Sequence, residues 1–176
     1  MHAWRVYVIG AGMCLAGCLW SPAGAESNYM AISSPSFAQG QPMARKFAYK
    51  GDNHSPQLLM GSIPLNAKSL VLIVDDPDSP SGLWTHWLVW NIPPNTAVIS
   101  ESQVPAGAVQ GKNSFGHARY DGPAPPSGTH RYFFHIYALD SKLALAQGAS
   151  RGELEAAMKG HVVGNAEFFG TYSANP

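Results

Sequence analysis

Three stretches of this chain, SLVLIVDD (Ser69–Asp76), THWLVWNIP (Thr85–Pro93) and HRYFFHIYALD (His130–Asp140), carry apolar side chains at both odd and even positions. A strand sends alternate side chains to opposite faces, so a run that is apolar on both parities needs cover on both sides. Sheet packed on sheet, or sheet beneath helices, meets that demand. The cover must come from packing alone, because both cysteines, Cys14 and Cys18, lie near the N-terminus and no disulfide can form within the rest of the chain. Around these runs the sequence predicts little helix. Ser150 and Glu153 fit a capping box, Leu154, Ala157 and Met158 fall on one face, and Gly160 stands where the chain would leave. The closing segment HVVGNAEFFGTYSANP reads as a further strand. From Glu26 to Pro64 the prolines break the chain into irregular loops and short strands such as NYMAIS and KFAYK. The fold class is therefore mostly β with few helices.

The first 25 residues, MHAWRVYVIGAGMCLAGCLWSPAGA, hold Arg5 and then no charge until Glu26, which reads as an export signal. Two processing routes fit. Ala23-Gly24-Ala25 offers a small-x-small cleavage site, whereas Leu15-Ala16-Gly17-Cys18 resembles a bacterial lipobox in which Cys18 becomes the lipidated first residue. The expected organisation is an export signal at 1–25, or 1–17 if processing occurs at Cys18, followed by a single domain at 26–176. The expected location is the periplasm or cell envelope, with a membrane anchor under the lipoprotein route. Nucleic acid is not an expected partner, since the 11 basic residues are scattered and the formal net charge is zero.

Charged residues make up only 12% of the chain, yet VDDPDSPSGLWTHW (Val74–Trp87) places three aspartates within four positions, ahead of a histidine. Asp-Pro-Asp-Ser-Pro is good turn chemistry. Asp75 is assigned to that role or to solvent, while Asp76 and Asp78 stand at a strand end where they can meet His86 and His130 from neighbouring strands. His130 and Tyr132, two apart, share a face. Two other motifs are decoys. GASRG (Gly148–Gly152) imitates a nucleophile elbow, but Ser150 is better explained as the helix cap, and GAVQGKN (Gly107–Asn113) lacks the spacing of a phosphate loop. The 36-residue connection between the second and third runs (94–129), rich in Gly and Pro, suits a functional or mobile loop.

The blocks DDPDSPSGLWTHWLVWNIP and YDGPAPPSGTHRYFFHIYALD together resemble the paired signature of the phosphatidylethanolamine-binding protein family, in its bacterial Raf kinase inhibitor-like branch. The first carries D-P-D-x-P and a downstream H-W, and the second carries G-P-x-P-P-x-G-x-H-R-Y. GDNHSPQL (Gly51–Leu58) and GTYS near the end extend the likeness over residues 30–173. The resemblance implies a β-sandwich in which a central sheet packs on a smaller one, with short peripheral helices and a small anion pocket. Carried over residue by residue, that pocket comprises Asp76, Asp78, Trp84, His86, Pro126, His130 and Tyr132. The expected function is an exported, non-catalytic binding protein for a phosphate-bearing or zwitterionic ligand such as a phospholipid head group, without a cofactor and with a possible protein partner to regulate. The alternatives are a metal-assisted hydrolase using the Asp/His cluster, for which no nucleophile with its own general base is visible, and a protein-inhibitor module acting through the long Gly/Pro-rich loop.

Overall fold

The computed structural model describes residues 29–174; the leader at 1–25, with Cys18, lies outside the described residues. Eight strands form two antiparallel sheets. A five-stranded sheet has the order β6-β4-β3-β7-β8, and a three-stranded sheet has the order β1-β2-β5. The large sheet is built from β3 (Ser69–Asp76), β4 (Trp84–Ile92), β6 (Val109–Gln110), β7 (Thr129–Leu139) and β8 (Val162–Ser173), and the small one from β1 (Ala31–Ser33), β2 (Leu58–Gly61) and β5 (Val98–Ile99). The three apolar runs are thus the three central strands.

The two parities of β3 show why both faces had to be covered. Leu70, Leu72 and Val74 join Trp87, Val89, Phe134 and Ile136 in the core between the sheets, where Ile32, Leu58, Met60 and Ile99 of the small sheet meet them. Val71 and Ile73 point the other way, into a second cluster with Leu88, Trp90, Leu154 and Met158 beneath helix α1 (Arg151–Met158). Every residue of β3 is buried. Helix α1 starts as its sequence predicts: the Ser150 side chain accepts the Glu153 N–H, and the Glu153 carboxylate accepts the Ser150 N–H, so the serine of GASRG is a cap.

Two expectations need correction. KFAYK is not a strand. Arg45–Phe47 is a 3₁₀ turn, and the chain folds back so closely that a Cβ on Gly51 would lie 1.9 Å from the Arg45 carbonyl oxygen. Nor is β7 covered equally on both faces. Its even-numbered side chains are buried, while Arg131 is exposed and Phe133, His135 and Tyr137 are only half-buried. The cluster beneath α1 covers the outer face over β3, β4 and the C-terminal end of β7, where Leu139 joins it, but it does not include Phe133 or His135 of β7 or any residue of β8. There the aromatic rings cover each other instead, with Phe133 stacked between His135 and Phe169 at centroid distances of 5.7 and 4.9 Å.

Candidate functional site

The inner-facing parity of β3 continues past Val74 to Asp76, and the outer-facing parity continues to Asp75. Neighbouring aspartates therefore serve opposite faces of one sheet. Asp75, expected in a turn or in solvent, is 1% exposed. Its Oδ1 accepts hydrogen bonds from the Thr85 hydroxyl and the Arg151 guanidinium, so it anchors α1 to the back of the sheet. Asp76 sits at the rim of the inter-sheet core. One oxygen accepts the backbone N–H of Asp78 at 2.8 Å and the other accepts Nδ1–H of His130 at 2.7 Å.

His86 reaches the same rim through an irregularity. Val74 pairs with Trp87 and Asp75 with Thr85, so the register shifts and His86 is the extra residue of β4. Strict alternation from inward-facing Trp87 would send His86 to the outer face. The bulge instead lets both face inward, which is a common use of bulges beside binding sites. The ring stands edge-on to Tyr132 and to Phe115, with centroids 5.2 and 5.6 Å away.

Between these side chains lies a hollow of about 220 Å³ lined by Asp76, Ser79, Pro80, Ser81, Trp84, His86, Phe115, Ala124, Pro126 and His130. Both imidazoles are fixed in tautomer. The Nδ1 of His86 lies 2.6 Å from the Asp121 carbonyl oxygen, which can only accept, so Nδ1 carries the proton and Nε2 is left for the hollow. That Nε2 is buried without a partner. Burial pushes the ring's pKa below 6.5 despite the Asp121 carbonyl and the charges of Asp76 and Asp75, so the neutral ring is favoured at pH 7. The Tyr132 hydroxyl beneath it is also buried and unpartnered, and burial together with Asp76 keeps that phenol protonated. Two other such atoms, Trp90 Nε1 and Ser141 Oγ, belong to residues that do not line the hollow.

A sequence model described as phosphatidylethanolamine-binding protein matches residues 33–173, which include every residue of this rim. The chain belongs to the phosphatidylethanolamine-binding protein family. It is 48% identical to the UPF0098 protein of Methanothermobacter thermautotrophicus over 72% of this chain and 87% of that one. Among solved structures, a homologue of the family from Chlamydia trachomatis is 42% identical and superimposes with a TM-score of 0.80 over 84% of this chain and 99% of that one. Escherichia coli YbcL, described as a new member of the mammalian PEBP family, is 29% identical with a TM-score of 0.77 over 82% and 98% of the two chains.

Of the family positions carried over from the sequence, Asp76, Trp84, His86, Pro126 and His130 line the hollow together. Tyr132 packs under it against His86. Asp78 does not line it. Its carboxylate accepts the backbone N–H, Nε–H and Nη2–H of Arg131, and those hydrogen bonds hold its pKa down to about 2. Asp76, Asp78, His86 and His130 therefore do not converge on one point, and no cluster of three or more His, Cys, Asp or Glu among the described residues is placed to hold a metal.

The brace behind His86 was not read from the sequence. Asp121 is fully buried, and its carboxylate accepts hydrogen bonds from Asn53, Asn113, His117 and Arg119 at 2.7 to 3.1 Å. Burial alone would raise its pKa, but the donors, led by Asn113, outweigh burial and lower it. Asn113 ties the same loop together, donating to the His86 and Arg119 carbonyls and accepting the N–H groups of Phe115 and His117. Phe115, which walls the hollow and stacks on Tyr49 at 4.8 Å, comes from this loop. The only sequence signal for it was a bulky aromatic in an otherwise small and polar segment.

Proposed function

We propose that this protein binds a small phosphate-bearing ligand in the hollow, without catalysis, with His86 and His130 meeting the phosphate. The observation that carries this reading is the buried, unpartnered Nε2 of His86 in a hollow that His130 also lines. An orphaned polar atom of this kind costs about 1–3 kcal/mol unless something bonds to it. Because burial favours the neutral ring and Nδ1 carries its proton, Nε2 is an acceptor, and its natural partner is a phosphate that still carries a proton. Trp84 and the remaining lone pairs of Asp76 suit an ammonium group on the same ligand, as in the phosphoethanolamine head group. Neither Ser79 nor Ser81 makes a hydrogen bond to an imidazole, which favours binding over nucleophilic chemistry. The apolar leader adds export to the proposal, and the mass of the mature N-terminus separates cleavage after Ala25 from acylation at Cys18.

Calorimetric titration with phosphoethanolamine and with inorganic phosphate tests the reading. Binding is expected at pH 6 and should weaken as pH rises past about 7, because the second ionisation of a phosphate monoester lies near 6 and the dianion offers Nε2 no proton. His86→Ala and His130→Ala should each lower affinity roughly tenfold or more, the range of one charge-assisted hydrogen bond. Affinity unaffected by either substitution would place the ligand elsewhere.

A further inference from the structure

The proline loop that closes one side of the hollow has a second side. A groove of about 810 Å³ runs along Pro123–Gly128, and Ala124 and Pro126 are walls common to both spaces. Tyr172 lines the groove and stands directly across the β7–β8 ladder from His130, which lines the hollow. Opposed residues on neighbouring strands lie about 4.5–5.5 Å apart, so one short molecule can reach from the imidazole into the groove.

Arg45 and Lys50 also line the groove. Neither makes an ion pair among the described residues, and no carboxylate lines the groove. Asp52 lies beside both on an adjoining depression but pairs with neither. The turn that bears these cations is fixed against the proline loop. Tyr49 N–H donates to the Pro123 carbonyl at 3.0 Å, and Gly122 lies so close to Phe47 that a Cβ there would sit 1.8 Å from its carbonyl oxygen. Two uncompensated cations held against rigid, uncharged walls complement a second negative charge on whatever occupies the hollow.

We infer that the site extends into this groove and takes a small organic molecule with two anionic groups, a phosphate monoester at His86 and His130 and a second phosphate or carboxylate at Arg45 and Lys50. This rests on the reading that the hollow takes a phosphate. The test compares propyl phosphate with a series running from ethanediol bisphosphate to hexanediol bisphosphate, by calorimetry at low salt, on wild type, Arg45→Ala/Lys50→Ala and His130→Ala. The best bisphosphate should bind wild type about tenfold more tightly than propyl phosphate. The double variant should erase that advantage and leave propyl phosphate unchanged. A bisphosphate series that never exceeds propyl phosphate, or an advantage that survives the double variant, overturns the extension alone. Propyl phosphate that fails to bind, or that ignores His130→Ala, overturns the underlying reading of the hollow instead.

Discussion

The two walls of the hollow present the same chemical group on different supports. His130 sits in regular strand, with its Nδ1 on the carboxylate of Asp76, which the turn holds through the Asp78 N–H. His86 sits on a bulge, with its Nδ1 on a neutral carbonyl and, behind it, the buried Asp121 and Asn113 joined to Asn53 and to the exposed His117 and Arg119. The first wall brings a full negative charge close to its ring. The second keeps charge one layer back, so desolvation governs His86 and the ring rests neutral. The two imidazoles thus reach one hollow from supports of different chemistry, and the buried Nε2 of His86 is the one left without a partner.

Removing the support of the His86 wall should have the largest effect. Asp121→Ala leaves the buried Asn113 and the half-buried Asn53 without their acceptor and removes a fully buried carboxylate, and should cost about 3 kcal/mol in urea unfolding, whereas Asp76→Ala, at the rim, should cost about 1–2 kcal/mol. If the two variants lose equal stability, the walls are not supported differently. Acid sharpens the comparison next. The native pKa of His86 is lowered, so the folded protein binds fewer protons at this site than the unfolded chain does. Its contribution to stability is complete above 6.5 and is lost as pH falls from there toward the native value. His86→Gln should flatten that part of the stability–pH curve, and an unchanged slope would assign the acid sensitivity to another group. The smallest effect is expected from Asp78→Asn. The carboxyl, held down to about 2 from 3.8, stabilises above 3.8 and loses its contribution only as pH falls toward 2. Because its partner Arg131 is exposed, the substitution should barely move the urea midpoint and should leave phosphate affinity within about twofold. A tenfold loss of affinity would bring Asp78 into the site.

The fold was legible where side-chain pattern and cover coincide. The three doubly apolar runs are β3, β4 and β7, and the Ser150 capping box starts α1. The pattern failed for β7, whose outer rings looked apolar enough to need cover, because aromatic side chains can shield one another at the surface when no helix reaches them. In the site, paired motifs brought Asp76, Trp84, His86, Pro126 and His130 to one rim. They did not distinguish Asp76 from Asp78, since both are two-residue neighbours in one turn and only the position of Arg131 decides which carboxylate turns away. In the Asp121 network only Asn53 is distant along the chain; Asn113, His117 and Arg119 lie within eight residues of Asp121, but in an irregular loop whose sequence has no periodicity to show that they fold around one carboxylate.

By itself the sequence determined the three central strands and that β3 and β4 are buried on both faces, because alternation is a property of the backbone and aliphatic side chains at both parities must be covered to exclude water. Only the tertiary structure decided which aspartate faces the hollow and that His86 faces it at all. The first outcome depends on where Arg131 meets Asp78, and the second on one extra residue in β4 opposite β3. A shift of one residue exchanges the two faces of a strand, and it is set by pairing between segments rather than by either segment alone.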